Sequence, residues 1–275
     1  MKSNATQIMK KFMMLIVFGT LLTACSKDDD TKVSVKLTDD PFPINLVNEA
    51  KIGVAKVELV DNNGNTVTVF SGSTKVNMVN YMNGATAEVA VNTVPAGTYV
   101  KARVTLNEAS VTLNNNEHFS ANVSTSHSYE VNINPAVEVS EGEEEDLLLD
   151  LDLSDSFQFA GTPIGQWFTQ ITGIQAFNPD FRAVCLSKTG KIEGEITDAN
   201  GNPVAHAYVA VAYDYNGDGQ ADTVSTIADA NGHYAIIGLP AGTYQVEVDA
   251  ENGDGESANV TVTTRHGTTV NVTIN

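Results

Sequence analysis

Along most of this chain, apolar and polar residues alternate in short runs, and Gly, Asn, Asp or Pro separates one run from the next. Val33 to Leu37, Val54 to Val60, Val67 to Val69, Thr98 to Leu106 and Tyr129 to Ile133 are such runs. Each puts every second side chain on one face, which is the period of a half-buried strand and not of a helix. Their β-branched residues suit a pleated surface. Asp61-Asn62-Asn63-Gly64-Asn65 reads as a hairpin loop and Asn231-Gly232 as a hairpin turn, with Gly or Asn supplying positive φ. A weak helical period is expected only over 165–173. The pattern predicts an all-β fold of two antiparallel β-sandwich domains.

The division into two rests on an echo. Val94-Pro95-Ala96-Gly97-Thr98-Tyr99 leads into one alternating strand, and Leu239-Pro240-Ala241-Gly242-Thr243-Tyr244 leads into another. In both, proline pre-sets one turn dihedral and glycine takes the next. Nothing recurs at a fixed period, so a repeat array is not indicated. The boundary is expected near Ser187 to Gly190, giving domains over 32–188 and 190–275. Leu147 to Leu153 is strongly apolar with acids at alternate positions, and the acidic stretch Glu141 to Asp146 before it reads as a solvated loop.

The opening residues follow a different rule. Lys2, Lys10 and Lys11 precede an apolar run from Phe12 to Leu22. The run has about half of the ~20 residues a spanning helix needs, which marks a secretory signal. It ends in Leu22-Thr23-Ala24-Cys25, which resembles the lipobox of bacterial lipoprotein precursors. That resemblance implies a signal peptide over 1–24, cleavage before Cys25 and fatty acylation of its thiol. One chain anchors only marginally, and the two or three chains of a lipoprotein, at ~0.8 kcal/mol per buried methylene, hold firmly. Residues 25–31 form the tether. Its Ser26-Lys27-Asp28-Asp29-Asp30 resembles the export signal of surface lipoproteins in the Bacteroidota. The expected location is the outer membrane, lipid-anchored and facing outward, the periplasmic face being the alternative.

Charge narrows the partners. Losing the signal removes three lysines and no acids, so the formal charge moves from −19 to −22. Such a surface repels nucleic acid. The membrane is reached through the lipid on Cys25, and a protein or glycan remains as a partner class. Of the two cysteines, Cys25 carries lipid, so Cys185 has no partner in the chain and reads as a buried small hydrophobe.

Candidate chemistry is sparse. Asp214, Asn216, Asp218, the Gln220 backbone and Asp222 have the spacing of a calcium loop, with Gly219 at the sharp turn. Ser225 stands where a bidentate glutamate would close an EF-hand, so any affinity is expected to be weak. The plain alternative is a polar hairpin. His118, His127, His206, His233 and His266 show no metal-ligand spacing, and no Gly-x-Ser-x-Gly elbow or phosphate-binding glycine loop occurs. Trp167 is a weak candidate for stacking on a sugar ring. No enzyme activity and no cofactor beyond weak calcium are expected.

Two resemblances organise these readings. Residues 190–275 resemble the carboxypeptidase regulatory-like domain, a transthyretin-like or immunoglobulin-like sandwich. The resemblance runs through Gly194, Thr197-Asp198, Gly201, Pro203-Val204, Asp229, Gly232, Tyr234 and Leu239 to Tyr244. Residues 32–188 resemble a lipoprotein domain of unknown function, number 4382 in its series. The residues that carry it are Val35 to Pro41, Val54 to Val60, the turn before Tyr99, Leu149 to Ser154, Ser156-Phe157 and Phe177 to Val184. The resemblances imply architecture and location but no substrate. The expected role is a non-enzymatic binding or structural display module. The alternatives are a fimbrial subunit, with Thr268 to Asn275 as donor strand, and a carbohydrate-binding component of a glycan uptake system.

Overall fold

The computed structural model describes residues 31–40, 46–164, 167–251 and 253–275. In the first part of the chain the strands are β1 (Lys32–Asp39), β2 (Val47–Asp61), β3 (Thr66–Asn77), β4 (Ala87–Thr93), β5 (Gly97–Leu113), β6 (His118–Ser120), β7 (Tyr129–Val139) and β8 (Glu144–Asp152). A one-turn helix α1 (Leu153–Ser156) leads to β9 (Phe157–Ile164), β10 (Trp167–Phe177) and β11 (Asp180–Cys185). All the alternating runs named above lie inside these strands.

The main sheet runs β3-β2-β5-β7-β11-β8-β1-β4, with β6 beside β5. It curls until its end strands meet, where Asn92 on β4 donates to the Val69 carbonyl of β3 at 3.1 Å. One core fills the inside. β8 gives it Leu147, Leu149 and Leu151, β1 gives Val33, Val35 and Leu37, and β2 and β5 give Ile52, Leu59, Val104 and Leu106. Cys185 is also fully buried there. Glu141 to Glu143 are exposed, whereas Glu144 to Asp146 already belong to β8, and Lys36 pairs with Asp146 at 2.6 Å. Most ladders are antiparallel, but β1 with β8 and β11 with β7 run parallel.

Two expectations are corrected. Residues 167–177 are strand β10, paired antiparallel with β9 in a two-stranded hairpin, and not helix. Its β-branched and aromatic side chains outweigh the weak helical period. Asn231-Gly232 does form a tight turn, but the strands on either side of it lie in different sheets, so it is not a hairpin.

After a short 3-10 turn at Leu186–Lys188, the second part holds β12 (Thr189–Thr197), β13 (Tyr208–Tyr213), β14 (Asp222–Ile227), β15 (His233–Pro240), β16 (Gly242–Tyr244), β17 (Glu247–Ala250), β18 (Gly253–Glu256), β19 (Val260–Val262), β20 (Gly267–Thr269) and β21 (Val272–Thr273). The two larger sheets are β15-β12-β20 with β21 also on β12, and β14-β13-β17-β18, while β16 pairs with β19. Their inner faces share a second core that includes Ile192, Ile196, Val209, Val211, Ile236 and Val248. The final run pairs in parallel with β12 of its own domain and buries Val270, Val272 and Ile274.

The echo in the sequence is a matched pair of corners. The Tyr99 hydroxyl donates to the Pro95 carbonyl and the Tyr244 hydroxyl to the Pro240 carbonyl, both at 2.7 Å. A second device is shared too. Asp61 accepts from the backbone of Asn63 and Asn65, and Asp198 accepts in the same way from Asn200 and Asn202. Gly64 and Gly201 supply the left-handed residue, at φ 84 and 81.

Candidate functional site at the domain junction

In β8 the odd-numbered leucines point into the first core, so Leu148, Asp150 and Asp152 must point the other way. β11 pairs with it in register, placing Val184 opposite Leu148, Arg182 opposite Asp150 and Asp180 opposite Asp152. This outer face is covered by the second domain. Leu148 and Val184 are buried without belonging to either core. Gly238 of β15 sits directly over them, and a Cβ there would lie 2.9 Å from Leu148 and 3.0 Å from Val184.

Arg182 is the centre of the contact. Its guanidinium donates to Asp150 Oδ2 through Nη2 at 2.5 Å and Nε at 3.2 Å. It also reaches across the boundary to the Gly238 carbonyl at 2.7 Å, the Tyr213 hydroxyl at 3.0 Å and the Ile237 carbonyl at 3.2 Å. The side chains of Arg182 and Asp150 are 5% and 6% exposed. Burial works against the arginine's charge, but Tyr213, Asp150 and Asp40 hold its pKa above the usual value.

Further contacts surround this pair. Asp40, just past β1, accepts from the Ser225 backbone N–H on β14 at 3.2 Å. Asn83 makes a two-way bond with β15, accepting from Ala235 N–H at 2.6 Å and donating to the His233 carbonyl at 3.1 Å. Asp39 accepts from Leu153 N–H at 3.2 Å through one oxygen. Its other oxygen, Asp150 Oδ1 and Thr226 Oγ1 are buried without a hydrogen-bond partner. These three residues line one small cavity of about 10 Å³. That volume is about one water molecule.

Burial pushes the Asp39 and Asp40 carboxyls well above their ordinary value, and neighbouring carboxylates add to the effect. For Asp152, burial raises the value to about 7. None of these groups was singled out from the sequence. The available signals were the acids inside the apolar run Leu147 to Leu153 and the lone arginine inside Phe181 to Leu186.

The residues singled out from the sequence lie elsewhere. Cys25 lies outside the described residues, as does the side chain of Trp167, whose backbone opens β10. Asp214 accepts from the backbone of Gly217 at 2.6 Å and Gly219 at 2.9 Å. Asn216 accepts from Asp218 N–H and Asp218 from Gln220 N–H. Asp222 accepts from Tyr215 N–H and from the Asn216 amide. The loop thus brings its five candidates together through its own backbone. Among the described residues no group of three His, Cys, Asp or Glu side chains is placed to hold a metal ion. A shallow depression of about 620 Å³ lies over β17 and β18. Glu247 faces Glu256 across it and Asp249 faces Asp254, all four exposed.

Comparison with known proteins adds family. The model of the domain of unknown function DUF4382 matches residues 30–168, and that of the carboxypeptidase regulatory-like domain matches residues 191–275. No curated protein matches. Among solved structures, the chain is similar to the Bacillus anthracis TIE protein at 11% identity and TM-score 0.27, covering 83% of this chain and 34% of that one. It therefore spans about a third of that protein's length. It is also similar to the minor pilin GBS52 of Streptococcus agalactiae, at 11% identity and TM-score 0.25, covering 88% and 94% of the two chains. The major pilin subunit BcpA of Bacillus cereus is similar at 13% identity and TM-score 0.23, covering 89% and 70%.

Proposed function

This chain belongs to the DUF4382 family, and from that membership, the resemblance of Leu22 to Cys25 to a lipobox and the closed junction we propose that it is a non-enzymatic lipoprotein of the cell envelope. In this reading the signal over 1–24 is removed, Cys25 is acylated, and residues 25–31 tether the body to the outer membrane, facing outward. The two β units then act as one stiff projecting body that presents a binding or structural surface.

The observation that carries the reading is the direction in which the unusual chemistry points. The buried arginine, its aspartate partner and the neighbouring acids face the other domain, and the space left between them is about 10 Å³. A substrate site is ordinarily a cleft of roughly 300–1,000 Å³. The junction therefore serves cohesion. The fimbrial alternative needs a free donor strand, but Thr268 to Asn275 is already paired within its own sandwich. A donor strand instead adds to an exposed edge of a neighbour.

Metabolic labelling with a palmitate analogue tests the anchor. The expected result is label on the mature protein, lost in Cys25→Ala, with the variant released from the membrane fraction. A native protein without fatty chains on Cys25 overturns the tether. Protease added to intact cells tests display. Cleavage is expected before the outer membrane is breached, and full protection would place the protein on the periplasmic face.

A further inference from the structure

The junction encloses more negative charge than it neutralises. Asp39, Asp40 and Asp150 are 3%, 6% and 5% exposed, and one guanidinium stands against the three carboxyls. Arg182 bonds only Asp150 Oδ2 among their oxygens. Asp39 Oδ2 and Asp150 Oδ1 are left facing the cavity as acceptors with no donor, together with Thr226 Oγ1 from the opposite domain. Buried carboxylates in that state need a counter-charge or a proton. No group of three acids among the described residues is placed to hold a metal ion. A proton is the remaining neutraliser. It also turns one acceptor oxygen into a donor, which gives the orphaned oxygens beside it a partner.

We propose that the two domains are latched by protons: Asp39 and Asp40 sit in the junction as neutral carboxylic acids, and removing those protons opens the hinge at Leu186–Lys188.

Burial and the acids around them favour this state, and Arg182 and the Leu153 and Ser225 N–H groups oppose it less strongly. β8 contributes Asp150 and Asp152, α1 contributes Asp155, and β11 contributes Asp180 and, alone among the described residues, the cation Arg182. β13 contributes Tyr208 and Tyr213, whose own ionisation is pushed upward by burial. β14 contributes the Ser225 N–H and, further out, Asp222. β15 contributes backbone carbonyls, which accept from Arg182. The shifts agree with the geometry, since burial raises both carboxyls well above the ordinary 3.8. When the domains separate, both acids return towards that value. The closed junction therefore binds more protons than the open one, and its stability falls as pH rises. The loss begins above the ordinary carboxylate range. It continues until the closed-state carboxyls ionise, at about 7 for Asp152 and well above the ordinary value for Asp39 and Asp40. Once ionised, Asp40 is buried beside Asp150 and Asp152 of its own domain, and parting from β14 returns these carboxylates to water.

Hydrogen exchange on the full chain in detergent, corrected for the intrinsic rate at each pH, reads the opening. From about pH 5 to about pH 9, the amides of Ser225 and Ala235 are expected to lose at least about tenfold protection, while β2 and β5 keep theirs. In Asp39→Asn/Asp40→Asn, where amides replace the acids, that loss should disappear. Should the variant not fold, carboxyl carbon resonances of the unmodified protein decide the matter. Both aspartates are expected to titrate well above the ordinary range. Titration of both near 4, or junction protection that does not change with pH, overturns the proposal. So does closure restored at high pH by calcium alone, which would make a cation the neutraliser. None of these outcomes touches the lipid anchor, so this latch and the proposed location fail separately.

Discussion

Two acidic sets in this molecule differ in how plainly the sequence shows them, and burial reverses their ranking. Asp214 to Asp222 is a dense, regularly spaced set of carboxylates, and it lies at the surface bonded to its own backbone. Asp39, Asp40 and Asp150 are scattered along the chain, and the fold gathers them into a nearly dry pocket around Arg182. Density along the chain marks the first set, whereas burial decides which set matters energetically. Exposed charges interact through high dielectric and contribute little, but a buried charge is costly unless it is paired.

The difference is best broken at Arg182. Arg182→Met keeps much of the side-chain volume and leaves Asp150 buried without its cation. The expected cost is ~3–5 kcal/mol, the usual penalty for removing one partner of a buried pair. Denaturant unfolding followed by circular dichroism measures it. Adding Asp150→Leu should recover most of the loss, because a buried pair replaced by apolar groups is often neutral. A loss below ~1 kcal/mol in the single variant would place the junction with ordinary surface pairs and erase the contrast.

A smaller effect is expected where the junction is overpacked and no charge is removed. Gly238 has φ of 71°, and a Cβ there would meet Leu148 at 2.9 Å, Val184 at 3.0 Å and Arg182 at 3.3 Å. Gly238→Ala should cost ~1–3 kcal/mol through overpacking and backbone strain. It should also raise exchange at Ala235 and Ser225 while leaving β2 and β5 unchanged. If β2 and β5 lose protection equally, the two domains unfold as one unit.

Strand periodicity made the all-β fold legible, because alternation is a local property and survives whatever packs on it. The Pro-Gly echo was equally legible, and it marks two tyrosine corners. Residues 167–173 misled, since their apolar spacing suits either period and pairing with β9 decided the outcome. The junction was hardest to read. Leu148, Asp150 and Asp152 alternate with the core leucines, so their face looks like an ordinary polar outer face until a second domain covers it. Only the lone Arg182 within Phe181 to Leu186 departs from that pattern, and its partner is 32 residues away. Pairing over that distance is set by strand order, which periodicity does not encode.

The smallest effect belongs to the exposed loop. Asp214→Asn removes a charge and leaves one acceptor oxygen for the backbone N–H groups of Gly217 and Gly219. Substitutions at such surface sites usually stay within ~0.5 kcal/mol, and that is the expected outcome by denaturant unfolding in the presence of chelator. Calcium sharpens the point, because an ion that binds only the folded loop adds stability as RT ln(1 + [L]/Kd). A weak site at a calcium concentration equal to its Kd contributes only ~0.4 kcal/mol by that relation. A rise of several kcal/mol, abolished in Asp214→Asn, would make the surface loop as consequential as the buried junction. The contrast would then rest on bound metal and not on burial. A rise within a few tenths leaves burial as the deciding variable.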